Sequence, residues 1–194
     1  MRLENVMRTL WFVWWMSWLA AAAWSDRAVK RPPAHHQIGY RILAGVGAIL
    51  LFGLYRHNLD VEMVLWHSPD AFGWMMIAVA LAGLLFTWWA RVHLGRLWSS
   101  GVGRKAEHRV VDTGPYAIVR HPIYTGITLA SIATALMRGT VLAWLGVVVM
   151  TVGWVVKARL EEEFLREQLG AEAYGAYGRR IPMLVPSWRT KRPD

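Results

Sequence analysis

AFGWMMIAVALAGLLFTWWA, residues Ala71–Ala90, is a run of twenty residues without one charged side chain. At ~1.5 Å rise per residue such a helix matches the ~30 Å hydrocarbon core of a bilayer, so the run reads as a membrane span. Four similar stretches lie around it: Leu10–Trp24, Ile38–Tyr55, Ile123–Met137 and Val141–Val156. The first reaches full length if it extends back towards Val6, with Arg8 snorkelling to the interface. It is followed by Trp24-Ser25-Asp26-Arg27 rather than a small-residue cleavage site, which predicts an uncleaved first helix. Only Arg138-Gly139-Thr140 separates the last two stretches, predicting a helical hairpin with Thr140 as N-cap. The expected fold is therefore all-α: a polytopic integral membrane protein with about five transmembrane helices. The final helix is expected to continue past Val156 into Lys157-Ala-Arg-Leu-Glu-Glu-Glu and leave the membrane.

Charge sets the orientation. Of the 22 Lys and Arg residues, eighteen fall after the first helix, after the third, or in the C-terminal tail; Arg2, Arg8, Arg56 and Arg138 make up the other side. The positive-inside rule then predicts an N-terminus outside and a C-terminus in the cytoplasm of an inner membrane. A net charge of +9 suits this topology signal, and no nucleic-acid-binding motif accompanies it. The 194 residues make one domain by size, and the absence of cysteine excludes disulfides and thiolate chemistry. The abundant tryptophans read as interfacial belt and packing. Ser99–Gly103 is expected to be the flexible part of the long polar loop; Gly101 and Gly103 follow no strand and make no dinucleotide fingerprint. No metal site and no protein partner is expected.

Polar residues crowd one helix entrance, Gly114-Pro115-Tyr116-Ala117-Ile118-Val119-Arg120-His121-Pro122-Ile123-Tyr124. Such groups are costly at membrane depth unless something uses them. Pro122 fits the first turn of a helix and places His121 near its N-cap, beside free N–H groups and the positive end of the dipole. With Arg120 this predicts an anion-receptive pocket, or else a simple anchor among headgroups. A second cluster, Glu161-Glu162-Glu163, follows the last apolar run. The pairs Lys157–Glu161, Arg159–Glu163 and Glu162–Arg166 are spaced to support a solvated helix, while the carboxylates are also suited to ribose hydroxyls or an ammonium or sulfonium charge. Gly170–Pro186, with Tyr174, Tyr177, Arg179 and Arg180, reads as a helix break and a short aromatic-basic segment on the membrane surface, a pocket cover or an anchor.

The combination Gly114-Pro115-Tyr116…Arg120-His121-Pro122-Ile123-Tyr124-Thr125-Gly126, two membrane arms, then Glu161-Glu162…Leu165…Leu169-Gly170…Tyr174…Tyr177…Pro186 resembles the isoprenylcysteine carboxyl methyltransferase family. It is also similar to the related phospholipid N-methyltransferases, over about residues 90–188. The resemblance implies a membrane enzyme without a Rossmann domain that takes a methyl group from S-adenosylmethionine. It divides the single domain into three N-terminal membrane helices, residues 1–90, and a cofactor-binding half, residues 91–194. It places Tyr116, Arg120, His121, Pro122, Tyr124, Glu161, Glu162, Tyr174 and Tyr177 around the cofactor, with Arg120, His121, Arg159 and Glu162 as catalytic candidates. The implied acceptor is lipophilic: an isoprenylcysteine-type carboxylate or a lipid headgroup, met at the cytoplasmic face among membrane lipids. Sterol reductases resemble the same Arg-His-Pro-x-Tyr region, so an NADPH-dependent sterol or enone reductase remains an alternative. A non-catalytic membrane scaffold is the third reading.

Overall fold

A computed structural model describes residues 2–22, 34–54, 63–95, 98 and 111–187. Trp24–Arg27, Tyr55, Arg56, Ser99–Gly103 and several loop cations of the charge count lie outside them. The described residues form α1 (Leu3–Ala22), α2 (Ala34–Phe52), α3 (Asp70–Leu94), α4 (Pro122–Arg138), α5 (Val141–Leu169) and α6 (Ala171–Arg180), with a 3₁₀ turn at Gly114–Ala117. Two of them, α3 and α5, are long and apolar enough to cross a membrane.

The expected punctuation is visible at the helix ends. Asp70 opens α3, Pro122 occupies the first turn of α4, and the Thr140 side chain accepts from the Ala143 N–H to start α5. Helix α5 has 29 residues, about 43 Å at the α-helical rise, so its last turns outrun a bilayer core. Several boundaries differ from the sequence reading. Helix α1 starts at Leu3, taking in the helix formers Glu4 and Arg8, α2 starts at Ala34, and residues 171–180 form a helix where a short aromatic-basic segment on the membrane surface was expected.

Helices consecutive in the chain alternate in direction. Arg8, near the start of α1, reaches the Phe52 carbonyl at the end of α2, and Arg91, near the end of α3, reaches the Ala21 carbonyl at the end of α1. Helix α2 lies against α5 through Gly47 and Gly146, and α3 against α4 through Gly83 and Gly126. A Cβ on Gly47 would come within 2.8 Å of the Gly146 carbonyl oxygen, and one on Gly83 within 2.7 Å of the Gly126 oxygen. Small residues that admit backbone to backbone are the means by which helices associate where lipid removes the hydrophobic driving force. Polar contacts add to it: Trp11 Nε1 donates to Thr134 Oγ1 at 3.0 Å and Trp14 Nε1 to Thr87 Oγ1 at 2.8 Å. These tryptophans pack the interior; Phe12, Trp15, Ile42, Trp74, Leu85 and Val148 face outward.

The two ends of the bundle are closed differently. At one end, residues 63–68 strap the α4–α5 turn: Leu65 N donates to the Gly139 carbonyl, Val141 N to Met63, and Trp66 Nε1 to Leu136. Gly139 has φ +62° there, and a Cβ on it would overlap the Trp66 carbonyl oxygen. The other end gathers the start of α4, the exit of α5 and α6.

Candidate active site

Three consecutive features bring the polar groups together. The Gly114–Ala117 turn returns the chain to the start of α4, the two residues before α4 and its first turn present Arg120, His121 and Tyr124, and α5 presents two adjacent carboxylates opposite them. Arg120 Nε donates to Glu162 Oε1 at 2.7 Å, and His121 Nε2 lies 3.1 Å from the same oxygen. His121 Nδ1 is 3.6 Å from Glu161 Oε2, and the Tyr124 hydroxyl donates to Glu161 at 2.7 Å. Arg166 holds the second Glu162 oxygen at 3.2 Å, one turn further along α5.

At the helix entrance the charged side chains are paired within the chain: Arg120 and His121 face the carboxylates of Glu161 and Glu162. Instead of capping α4, the His121 side chain points at the two glutamates. The electrostatics follow from burial and partners. Burial pushes the His121 pKa down from 6.5, but its bonds to Glu161 and Glu162 outweigh that and hold it above its ordinary value. With carboxylates at both ring nitrogens, the imidazolium is the form that satisfies both as donors. Burial raises the Tyr116, Tyr174 and Tyr177 hydroxyls well above the usual phenol range, so all three stay protonated.

Segment 178–184 completes the enclosure. Arg120 Nη1 donates to the carbonyls of Gly178 and Ile181, both at 2.7 Å. Backbone N–H groups of Arg120 and His121 donate to Pro182 and Met183, and Thr125 Oγ1 to Leu184. The Tyr177 hydroxyl donates to the Tyr116 carbonyl at 2.8 Å, with Tyr174 edge-on to Tyr177. Pro122 is fully buried at the first turn of α4.

The structure thus joins Arg120, His121, Tyr124, Glu161 and Glu162 directly, and sets Tyr116, Pro122, Tyr174 and Tyr177 beside them. Arg159 stands apart. It is exposed on α5 and makes no hydrogen bond or ion pair among the described residues, so the spacing-based pair with Glu163 does not form; two positions along the helix from Glu161, it points to a different face. Lys157–Glu161, at 3.8 Å, and Glu162–Arg166 are present. Sequence reasoning missed the ring column of His121, Tyr124 and Trp154, with centroids 5.5 and 5.3 Å apart and nearly parallel planes. Its signal was the spacing: Trp154 lies two helical turns before Glu161, on the same face of α5.

Helices of membrane-spanning length closing on a buried Arg–His–Tyr–Glu–Glu network mark a helical membrane-type protein with an enzyme-like polar centre. Residues 74–167 match the model of the Isoprenylcysteine carboxyl methyltransferase (ICMT) family. Among its relatives is methanethiol S-methyltransferase 2 of Bradyrhizobium diazoefficiens, 29% identical over 83% of this chain and 63% of the relative. Protein-S-isoprenylcysteine O-methyltransferase B of Arabidopsis thaliana is 30% identical over 44% of this chain and 43% of its own. The cobalt-zinc-cadmium resistance protein CzcN of Cupriavidus metallidurans is 28% identical over 83% of this chain and 68% of its own. The chain spans less than two thirds of the length of both methyltransferase relatives.

Proposed function

We propose that the protein is an integral membrane methyltransferase that moves a methyl group from S-adenosylmethionine to a lipophilic acceptor. The observation carrying this reading is the closure of Arg120, His121 and Tyr124 onto Glu161 and Glu162, all of it inside the segment that matches the family model. The donor set suits that cofactor. Two carboxylates match its ammonium and ribose hydroxyls, and buried Tyr116, Tyr124, Tyr174 and Tyr177 match its flat base. Arg120 Nη2, which makes no hydrogen bond among the described residues, matches its carboxylate. When bound, the cofactor supplies an electrophilic methyl group on a sulfonium. The protein's part is to orient it, exclude water and hold opposite charge nearby. Arg120, His121 and Glu162 are the groups assigned to that work; exposed Arg159 is assigned none.

The test is titration of S-adenosylmethionine into detergent-solubilised protein. Saturable binding that weakens in Arg120→Met is expected. Binding of NADPH in its place would transfer the site to the reductase reading, and binding of neither would leave a scaffold.

The same proposal includes topology: five crossing helices, α1 to α5, in the inner membrane, with the site at the cytoplasmic face. Among the described residues, Arg8 and Arg138 sit at the strap end, whereas Arg41, Arg91, Arg120 and Arg166 sit at the site end, which supports it. Because the chain has no cysteine, single cysteines report cleanly. In intact cells a membrane-impermeant maleimide should label Val64→Cys, and Glu172→Cys only after permeabilisation. The reverse pattern would invert the orientation.

A further inference from the structure

Trp154 lies in the apolar part of α5, and its own hydrogen bonding does not account for it. Elsewhere in the bundle the tryptophan N–H groups are used: Trp11 donates to Thr134, Trp14 to Thr87, Trp88 to Ser17 and Trp66 to the Leu136 carbonyl. Trp154 Nε1 is buried and has no hydrogen-bond partner among the described residues. A buried donor without an acceptor is costly, and an apolar side chain would fill the position without that cost. What the indole adds is a broad flat face. It lies against the Tyr124 ring of α4, with centroids 5.3 Å apart and planes 5° from parallel, and the His121 ring continues the column at 5.5 Å and 11°. The column reaches the polar centre through one hydroxyl. Tyr124 Oη bridges both oxygens of Glu161, at 2.7 and 2.8 Å, which ties the plane of the ring to the plane of the carboxylate. The ring torsion of a tyrosine is soft, so a ring held by its hydroxyl alone can swing; a parallel indole at stacking distance removes that freedom. Glu161 in turn faces His121 Nδ1 at 3.6 Å, so a tilt of Tyr124 is passed to both members of that pair.

We infer that Trp154 is a positioning residue for the proposed cofactor site: its indole face fixes the Tyr124 ring, and through that ring the Glu161 carboxylate and the His121 imidazole. The inference rests on the methyltransferase reading. Trp154 is assigned no contact with the cofactor and acts through Tyr124. Two consequences separate this role from simple packing. The effect belongs to the flat face, so a phenylalanine ring, which has no N–H, serves in its place and an aliphatic side chain does not. The effect also runs through the Tyr124 hydroxyl, so once that hydroxyl is removed Trp154 has little left to act on.

The experiment titrates S-adenosylmethionine calorimetrically into full-length protein in detergent. It compares wild type, Trp154→Leu, Trp154→Phe, Tyr124→Phe and the double variant Tyr124→Phe with Trp154→Leu, reading the melting temperature of each. The Kd should rise about fivefold or more in Trp154→Leu and stay within about twofold of wild type in Trp154→Phe. In the Tyr124→Phe background, Trp154→Leu should add less than about twofold, so the two losses do not multiply. A tryptophan that only packs would lower the melting temperature without this pattern. If Trp154→Leu does not fold, Trp154→Met takes its place in both backgrounds. Unchanged affinity in the folded aliphatic variant, equal losses with phenylalanine and leucine, or losses that multiply in the double variant would each overturn the assignment. Absence of S-adenosylmethionine binding in wild type would instead overturn the methyltransferase reading beneath it.

Discussion

Glu162→Gln should cost the proposed methyl transfer about 100-fold or more and lower the stability of the bundle by about 3–5 kcal/mol. The carboxylate is 6% exposed and receives Arg120, His121 and Arg166 together. An amide in its place keeps the shape, removes the charge and can turn an N–H group towards a guanidinium whose Nη2 already has no acceptor among the described residues. The Arg120 side chain is only 12% exposed, so its charge is left poorly compensated. The pH dependence should move as well. His121 has a raised folded pKa, so its stabilisation is fully present below pH 6.5 and is lost as pH rises through that raised value. Without one of its two carboxylates, the loss should be complete at lower pH. Thermal melting in detergent across pH, beside labelled-methyl assays, checks both; a variant that melts and turns over like wild type would remove Glu162 from the site.

A comparable loss is expected far from the charges. In Gly126→Leu the new Cβ overlaps the Gly83 carbonyl oxygen and comes within 2.6 Å of Thr87 Cγ2. Neither neighbour is the free end of a flexible side chain, so α3 and α4 must separate. Overpacking of this kind costs about 1–3 kcal/mol in soluble cores, and a backbone obstacle places it at the upper end. Parting the helices also disturbs the Trp14–Thr87 hydrogen bond. Because Gly126 lies two residues beyond Tyr124, a shift of about 1 Å there would misplace the site and cost about 100-fold in turnover. Gly126→Ala should show the same defects in reduced form. Wild-type melting and activity in Gly126→Leu would mean that α3 and α4 do not depend on this contact.

The helices were legible where apolar runs had sharp borders. Pro122, Gly139 and Thr140 mark the ends of α4 and α5 through chemistry local to each residue, so sequence alone located them. The site was legible as two clusters, since adjacent residues such as Arg120-His121 and Glu161-Glu162 announce themselves. Their direct pairing was not, because it depends on α4 and α5 facing one another at the right height, a property of packing. The same limit hid Lys157 and Tyr40, which meet only because Gly47 and Gly146 let α2 approach α5. It also left Arg159 indistinguishable from its neighbours: on a charged helix, sequence gives the spacing, and the partner helix decides which face is inside. The division at residue 90 likewise gave no hint that α2 pairs with α5 and α3 with α4, across that line.

The carbonyls of residues 178–184 carry a consequence for biosynthesis. Arg120 and His121 enter the membrane surface some sixty positions before Gly178, Ile181, Pro182 and Met183, whose oxygens satisfy them. While the chain is being made, α1 to α5 are complete before these carbonyls exist, and this corner is still open. The proposed site is therefore completed only once these residues are made, and a product cut short before Gly178 would carry an unfinished centre.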